Sequence, residues 1–257
     1  MQSIRSGGGS LKPPRRLIYT GGGDFLQTGQ DFMSEFVELG LLKSDSIVLD
    51  VGSGIGRMAI PLTSFVKNGK YEGFDIMAAG VKWCQKNITT QYPNFNFTLV
   101  DLSNDLYRNH GGSADQFQFP YQANLFDLVV VISVFTHMIA LEVKNYSEEI
   151  YRVLKPGGKC FATFFILNEQ SRVEMIRGEN DFNFMIQKEN YSLIDELVKS
   201  ANVAYDEDYI TNSIFPKDKF VFETIKFGKW KTGEESKAID FQDKVVVRKI
   251  QGSDVHQ

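Results

Sequence analysis

The chain has 257 residues, 42% of them hydrophobic and 23% charged, and its 28 basic and 32 acidic side chains leave a net charge of −4. That length suffices for one large α/β core, and the slightly acidic balance supplies no general attraction to nucleic acid or anionic membrane. Two cysteines exclude a disulfide framework and a cysteine-built metal cluster, and the strongest apolar run, 128–135, is far too short to cross a bilayer. No secretory leader is visible in the polar, glycine-containing start, so a soluble cytoplasmic protein that needs no metal is expected.

Residues 1–20, with Gly7 to Gly9 and Pro13-Pro14, read as a flexible arm. Apolar residues at Phe32, Met33, Phe36, Val37, Leu39 and Leu41 then give an amphipathic helix. Strand and helix alternate from there: strand 47–51, helix 56–67, strand 71–75, helix 78–91, strands 96–100 and 126–132, helix 141–154, strand 158–166. This alternation predicts an α/β fold, a parallel sheet with helices on both faces. Pro61 lacks an N–H and crowds the carbonyl of Arg57, so the first crossover helix should kink or begin late. A helix at 206–215 and strands 220–227 and 244–249 close a single domain spanning 21–250, with 251–257 as a tail. Two polar excursions interrupt the rhythm, at 103–122 and 168–204. Long excursions from a compact domain are more often functional than idle.

The most informative segment is VLDVGSGIGR (48–57). A short β-branched strand runs into glycines 52, 54 and 56, where the backbone turns sharply and can approach a ligand closely. The dinucleotide fingerprint GxGxxG is absent, as are GxxxxGK[ST] and a YxxxK dyad, which argues against NAD-linked oxidoreductases and P-loop enzymes. Asp50 at the mouth of the turn suits a cationic group. The second predicted strand ends in Asp75, 21 positions after Gly54, the spacing at which a carboxylate meets a ribose diol. Asp75 also fits an N-cap for the following helix, and one residue can do both.

With YEGFDI (71–76), FTLVDLSN (97–104), FDLVVVISVFTHM (126–138) and RVLKPGGKCFATFF (152–165), the chain resembles the Rossmann-like, class I S-adenosylmethionine-dependent methyltransferases. Within them it is most similar to bacterial small-molecule enzymes of the type 11/12 domain group. The resemblance runs over roughly 20–250. It implies S-adenosyl-L-methionine as cofactor, an antiparallel last strand, and a lid inserted after strand five, formed by the two excursions. It assigns Asp50, Gly52, Ser53 and Gly54 to the cofactor loop and Asp75 and Ile76 to the ribose. Asp101 would meet the adenine amino group and the Leu102 N–H a ring nitrogen, although Asp101 also suits turn initiation. Ile132 and Ser133 would line the methionine half. Tyr19, Gly23 and Asp24 would fold over the cofactor, a segment that reads equally as a linker.

His137, just past strand four, is the candidate general base, since imidazole titrates near neutral pH. Packing or capping of the next helix also accounts for it. The sequence argues better against acceptors than for one. Strand four ends in ISVF, without the [DN]PP[YF] of exocyclic-amine enzymes, and no Pro-Cys nucleophile or acid cluster follows it. A small molecule remains, natural-product, sugar or lipid-like, methylated at a hydroxyl by in-line displacement and contacted by Phe135, Phe165, Phe182 and Tyr191. A small-molecule N-methyltransferase and a non-catalytic cofactor-binding protein stay open as alternatives. The oligomeric state is left open.

Overall fold

A computed structural model describes residues 11–18, 22–108, 110–177, 182–232 and 237–251. Its elements are α1 (Phe25–Glu38), β1 (Ile47–Val51), α2 (Ala59–Phe65), β2 (Lys70–Asp75), α3 (Ala78–Cys84), β3 (Phe95–Leu99), β4 (Phe126–Val131), α4 (Ala140–Val153) and β5 (Leu154–Phe164), followed by β6 (Ile166–Leu167), α5 (Glu169–Arg177), β7 (Ile186–Gln187), β8 (Tyr191–Leu193), β9 (Val203–Asp206), β10 (Phe220–Lys226) and β11 (Asp243–Lys249). Seven strands form the main sheet in the order β10-β11-β5-β4-β1-β2-β3. The pairs among β1 to β5 are parallel, whereas β11 lies antiparallel to both of its neighbours, β5 and β10.

The central strands β1, β4 and β11 are buried on both faces, and the parity of their residues decides which helices each meets. Leu49, Val51, Val129, Val131, Ala162 and Val247 point into a core with Val143, Ile150 and Val153 of α4. Val48, Leu128, Val130, Phe161 and Val246 point the other way, onto Phe32 and Phe36 of α1, Leu62 of α2 and Val81 of α3. Helices therefore cover both faces, as the alternation predicted.

The helix after the glycine loop begins only at Ala59, and Pro61 sits in its first turn, where the missing N–H has no helical partner to lose. The predicted helix 78–91 is α-helical only to Cys84 and continues as a π turn over Gln85–Thr89. The predicted helix at 206–215 is likewise one short α turn followed by a π turn over Ile210–Ile214. The described part of the 168–204 excursion contains strands that its sequence did not imply. Strands β6-β9-β8-β7 form a second, four-stranded sheet, beneath which Phe165, Phe184 and Trp230 pack together.

Asp243, the first residue of β11, is fully buried and ties this region down. Its carboxylate accepts from the Ile166 N–H at 2.6 Å, the Gly228 N–H at 2.7 Å and the Trp230 Nε1–H at 2.8 Å. Burial nevertheless pushes its pKa up to about 6. No helix among the described residues is long and apolar enough to cross a membrane.

Candidate active site

Strand order reverses between β1 and β4, and a cavity of about 720 Å³ opens at the carboxyl ends of these strands. A crevice outside a parallel sheet at such a point is where this topology holds its ligands. Gly52 and Gly54, both in the left-handed region (φ +75° and +55°), form part of the floor. A Cβ on Gly52 would stand 2.4 Å from Val134 Cγ2, so the loop can pass beneath the β4 turn only as glycine. Helix α1 closes over the same loop through Gly29, where a Cβ would stand 2.4 Å from the Arg57 carbonyl oxygen.

Asp75, at the end of β2, reaches the cavity wall. Its Oδ2 accepts from the Gly54 N–H at 2.8 Å and its Oδ1 from the Met77 N–H at 2.7 Å. A carboxylate has more acceptor sites than these bonds fill, so it can cap the loop and still accept from a ligand hydroxyl. Burial raises its pKa, and these backbone bonds oppose the rise. Ile76, Met77, Leu102 and Ile132 supply apolar wall on either side.

Ser133, in the turn after β4, has φ +55°, an uncommon conformation for a residue with a side chain. Its N–H donates to Thr163 Oγ1 at 2.8 Å, and its hydroxyl donates to Gln242 Oε1 at 2.9 Å. The turn carries the chain into His137, which lies half-buried on the wall. His137 Nδ1 is 2.8 Å from the Ser200 carbonyl oxygen. A carbonyl only accepts, so Nδ1 carries the proton and Nε2 holds the lone pair. Burial lowers the His137 pKa, with support in the other direction from the backbone of Ser200 and Ala201. The neutral, basic form is thereby favoured.

Of the other residues expected at the site, Gly23, Phe165 and Phe182 also line the cavity. Several do not. Asp50 points to the α1–α3 side of the sheet, is 3% exposed, and accepts from the Tyr71 hydroxyl. Its carboxylate is turned to Tyr71 and is absent from the cavity lining, and burial pushes its pKa to about 7. Ser53 is buried against Gly73, with its hydroxyl unpartnered. Asp24 caps α1, accepting from the Leu26 and Gln27 N–H groups at 3.0 and 2.9 Å. Asp101 faces solvent and pairs with Arg108 at 2.5 Å, so its side chain lies away from the wall. Phe135 is fully buried on Phe164, and Tyr191 packs on Tyr205 outside the cavity. Tyr19 lies outside the described residues.

The sequence reading missed Arg57, Tyr107, Glu142, Tyr146 and Gln242, all of which line the cavity. Arg57 directly follows the glycine loop, and burial lowers its pKa. Glu142 caps its own helix through the Ile139 N–H at 2.8 Å. Its spacing from Ile139 was visible, but its place on the wall was not. Phe165, Phe182 and Phe241 make an apolar wall, with ring centroids 5.0–6.0 Å apart.

Residues 49–162 match the family model described as a methyltransferase domain. A phthiotriol/phenolphthiotriol dimycocerosates methyltransferase of Mycobacterium leprae is 31% identical over 111 residues, 43% of this chain and 34% of that protein. A tRNA N(3)-methylcytidine methyltransferase of Drosophila melanogaster is 24% identical over 133 residues, 49% of this chain and 38% of that protein. The chain thus spans little more than a third of the length of these curated relatives. A solved structure of a SAM-dependent methyltransferase from Methanosarcina mazei aligns with a TM-score of 0.55 at 19% identity, covering 83% of this chain and 97% of that one. At that identity the shared property is the fold.

Proposed function

We propose, for a chain that belongs to the class I S-adenosylmethionine-dependent methyltransferases of the type 11 group, that it methylates a hydroxyl of a small, largely apolar acceptor. The observation that carries this reading is one continuous cavity joining Gly52, Gly54 and Asp75 at one end to His137 and the Phe165–Phe182–Phe241 wall at the other.

The residues present fit the cofactor. Asp75 offers its carboxylate to a ribose diol, and Met77 and Leu102 on the same cavity offer apolar contact to a flat base. Arg57 supplies positive charge beside the glycine loop, suited to an amino-acid carboxylate. When bound, S-adenosylmethionine supplies an activated methyl group. The chain's own work is then to orient the acceptor, exclude water, and take up a proton. His137 Nε2 is the group for that last step. Its proton gain is eased by the Ser200 carbonyl, which holds the developing imidazolium through Nδ1–H. The β6–β9 sheet with its aromatic underside serves as a lid over the acceptor end.

The apolar wall and the net charge of −4 favour a small molecule over a polyanion such as tRNA. Glu142 on the wall favours an amine acceptor as the second reading. The test begins with calorimetric titration of S-adenosylhomocysteine. Radiolabelled methyl transfer is then measured to matched panels of phenols, aliphatic alcohols and amines. Micromolar product binding and transfer to hydroxyls are expected. Transfer to amines alone removes the hydroxyl reading, and absence of product binding removes the cofactor assignment.

A further inference from the structure

Both excursions from the main sheet converge on His137. From the first, Asn104 Nδ2 donates to the His137 carbonyl at 2.9 Å, and the Tyr107 ring meets the imidazole edge-on with centroids 5.7 Å apart. From the second, the Ser200 carbonyl accepts from Nδ1. The excursions are also bonded to each other. Asp105 accepts the Lys199 N–H at 2.9 Å through Oδ2 and the Ser200 N–H at 3.0 Å through Oδ1. Ser200 therefore gives its N–H to Asp105 and its carbonyl to the imidazole.

We propose that Asp105 is a positioning residue: by anchoring the 199–201 turn, it fixes His137 in the Nδ1–H tautomer, which leaves the ring lone pair on Nε2. The catalytic part of this rests on His137 being the base, but the tautomer lock does not. A carboxylate suits the task because it accepts two backbone N–H groups at once, one on each oxygen. An amide would turn its NH₂ toward one of those donors. Free imidazole in water favours the proton on Nε2. A turn released from Asp105 would let His137 relax toward that form and lose the lone pair where it is needed. The general base is then assembled only while the two excursions are joined, and the junction lies on the exposed side of the site.

The test uses the full-length protein labelled with ¹⁵N-histidine. Long-range ¹H–¹⁵N correlation distinguishes Nδ1–H from Nε2–H, and His137→Gln identifies the His137 signal among the three histidines. The expected wild-type pattern is Nδ1–H. Asp105→Ala should shift His137 toward Nε2–H and Asp105→Asn should shift it part of the way. S-adenosylhomocysteine affinity should stay within about twofold, because neither change touches the cofactor wall. With an acceptor from the panels, kcat should fall about 10- to 100-fold with little change in KM, part of the roughly 10²- to 10⁴-fold that a general base contributes. An unchanged Nδ1–H pattern in both variants overturns the proposal. If Asp105→Ala does not fold, the isosteric Asp105→Asn decides it. A shifted tautomer alongside a fully active His137→Ala would retire the base and leave the lock standing, so the two readings fail separately.

Discussion

Asp75 and Asp50 are both acids at or near the ends of neighbouring strands, yet they do different work. Asp75 lines the cavity while capping Gly54 and Met77. Asp75→Ala should weaken S-adenosylhomocysteine binding by about 1–3 kcal/mol in calorimetry, the cost of removing a hydrogen-bonded charged partner. His137→Ala should lower turnover about 10²- to 10⁴-fold while product affinity is retained. Because burial lowers the His137 pKa, the acid limb of the pH–rate profile should fall below the ordinary imidazole value of about 6.5. A limb above that value would contradict the assignment. Asp75 could be read from spacing to the glycine loop, because that spacing reflects one βαβ unit. Asp50 was misread because its partner Tyr71 lies on the next strand, and only parity and register bring the two together.

At the scale of elements, every strand of the main sheet was expected from the sequence to within a few residues. The second sheet was not, because its strands are only two to four residues long and too short to show a period. The π turns after Cys84 and Tyr209 were equally hidden, since they continue the helical pattern. Two substitutions probe element packing. Gly52→Ala sets a Cβ against Val134 at a left-handed position and should abolish product binding, lowering the melting temperature as well. Asp243→Ala leaves three buried donors unanswered at the junction of β6, β11 and the Trp230 segment. At about 1–3 kcal/mol for each orphaned donor, denaturant unfolding should show a loss of roughly 3 kcal/mol or more.

For the whole molecule, the buried acids set the pH dependence of stability. Asp50 titrates at about 7 and Asp243 at about 6, against an ordinary value of 3.8. Between about pH 4 and 7 the folded chain holds protons that the unfolded chain has released, so these two groups make stability fall as pH rises. His137 works oppositely: below about pH 6.5 the unfolded chain takes up a proton that the buried ring resists, so stability falls as pH drops. Asp50→Asn removes the buried charge and keeps an acceptor for Tyr71. It should raise the melting temperature at pH 8, with the gain shrinking toward pH 5 in thermal melts. A uniform loss at both pH values would show that the carboxyl group is needed whatever its charge.

The strand order has one more consequence, in the timing of assembly. Strand β11 lies between β5 and β10 but follows both in the chain. As the chain leaves the ribosome, the β1–β5 half, with the glycine loop, Asp75 and His137, can close long before the last strand exists. Phe241, which completes the Phe165–Phe182 wall, arrives just before β11. A nascent chain should therefore be able to hold the cofactor before it has any place to put an acceptor.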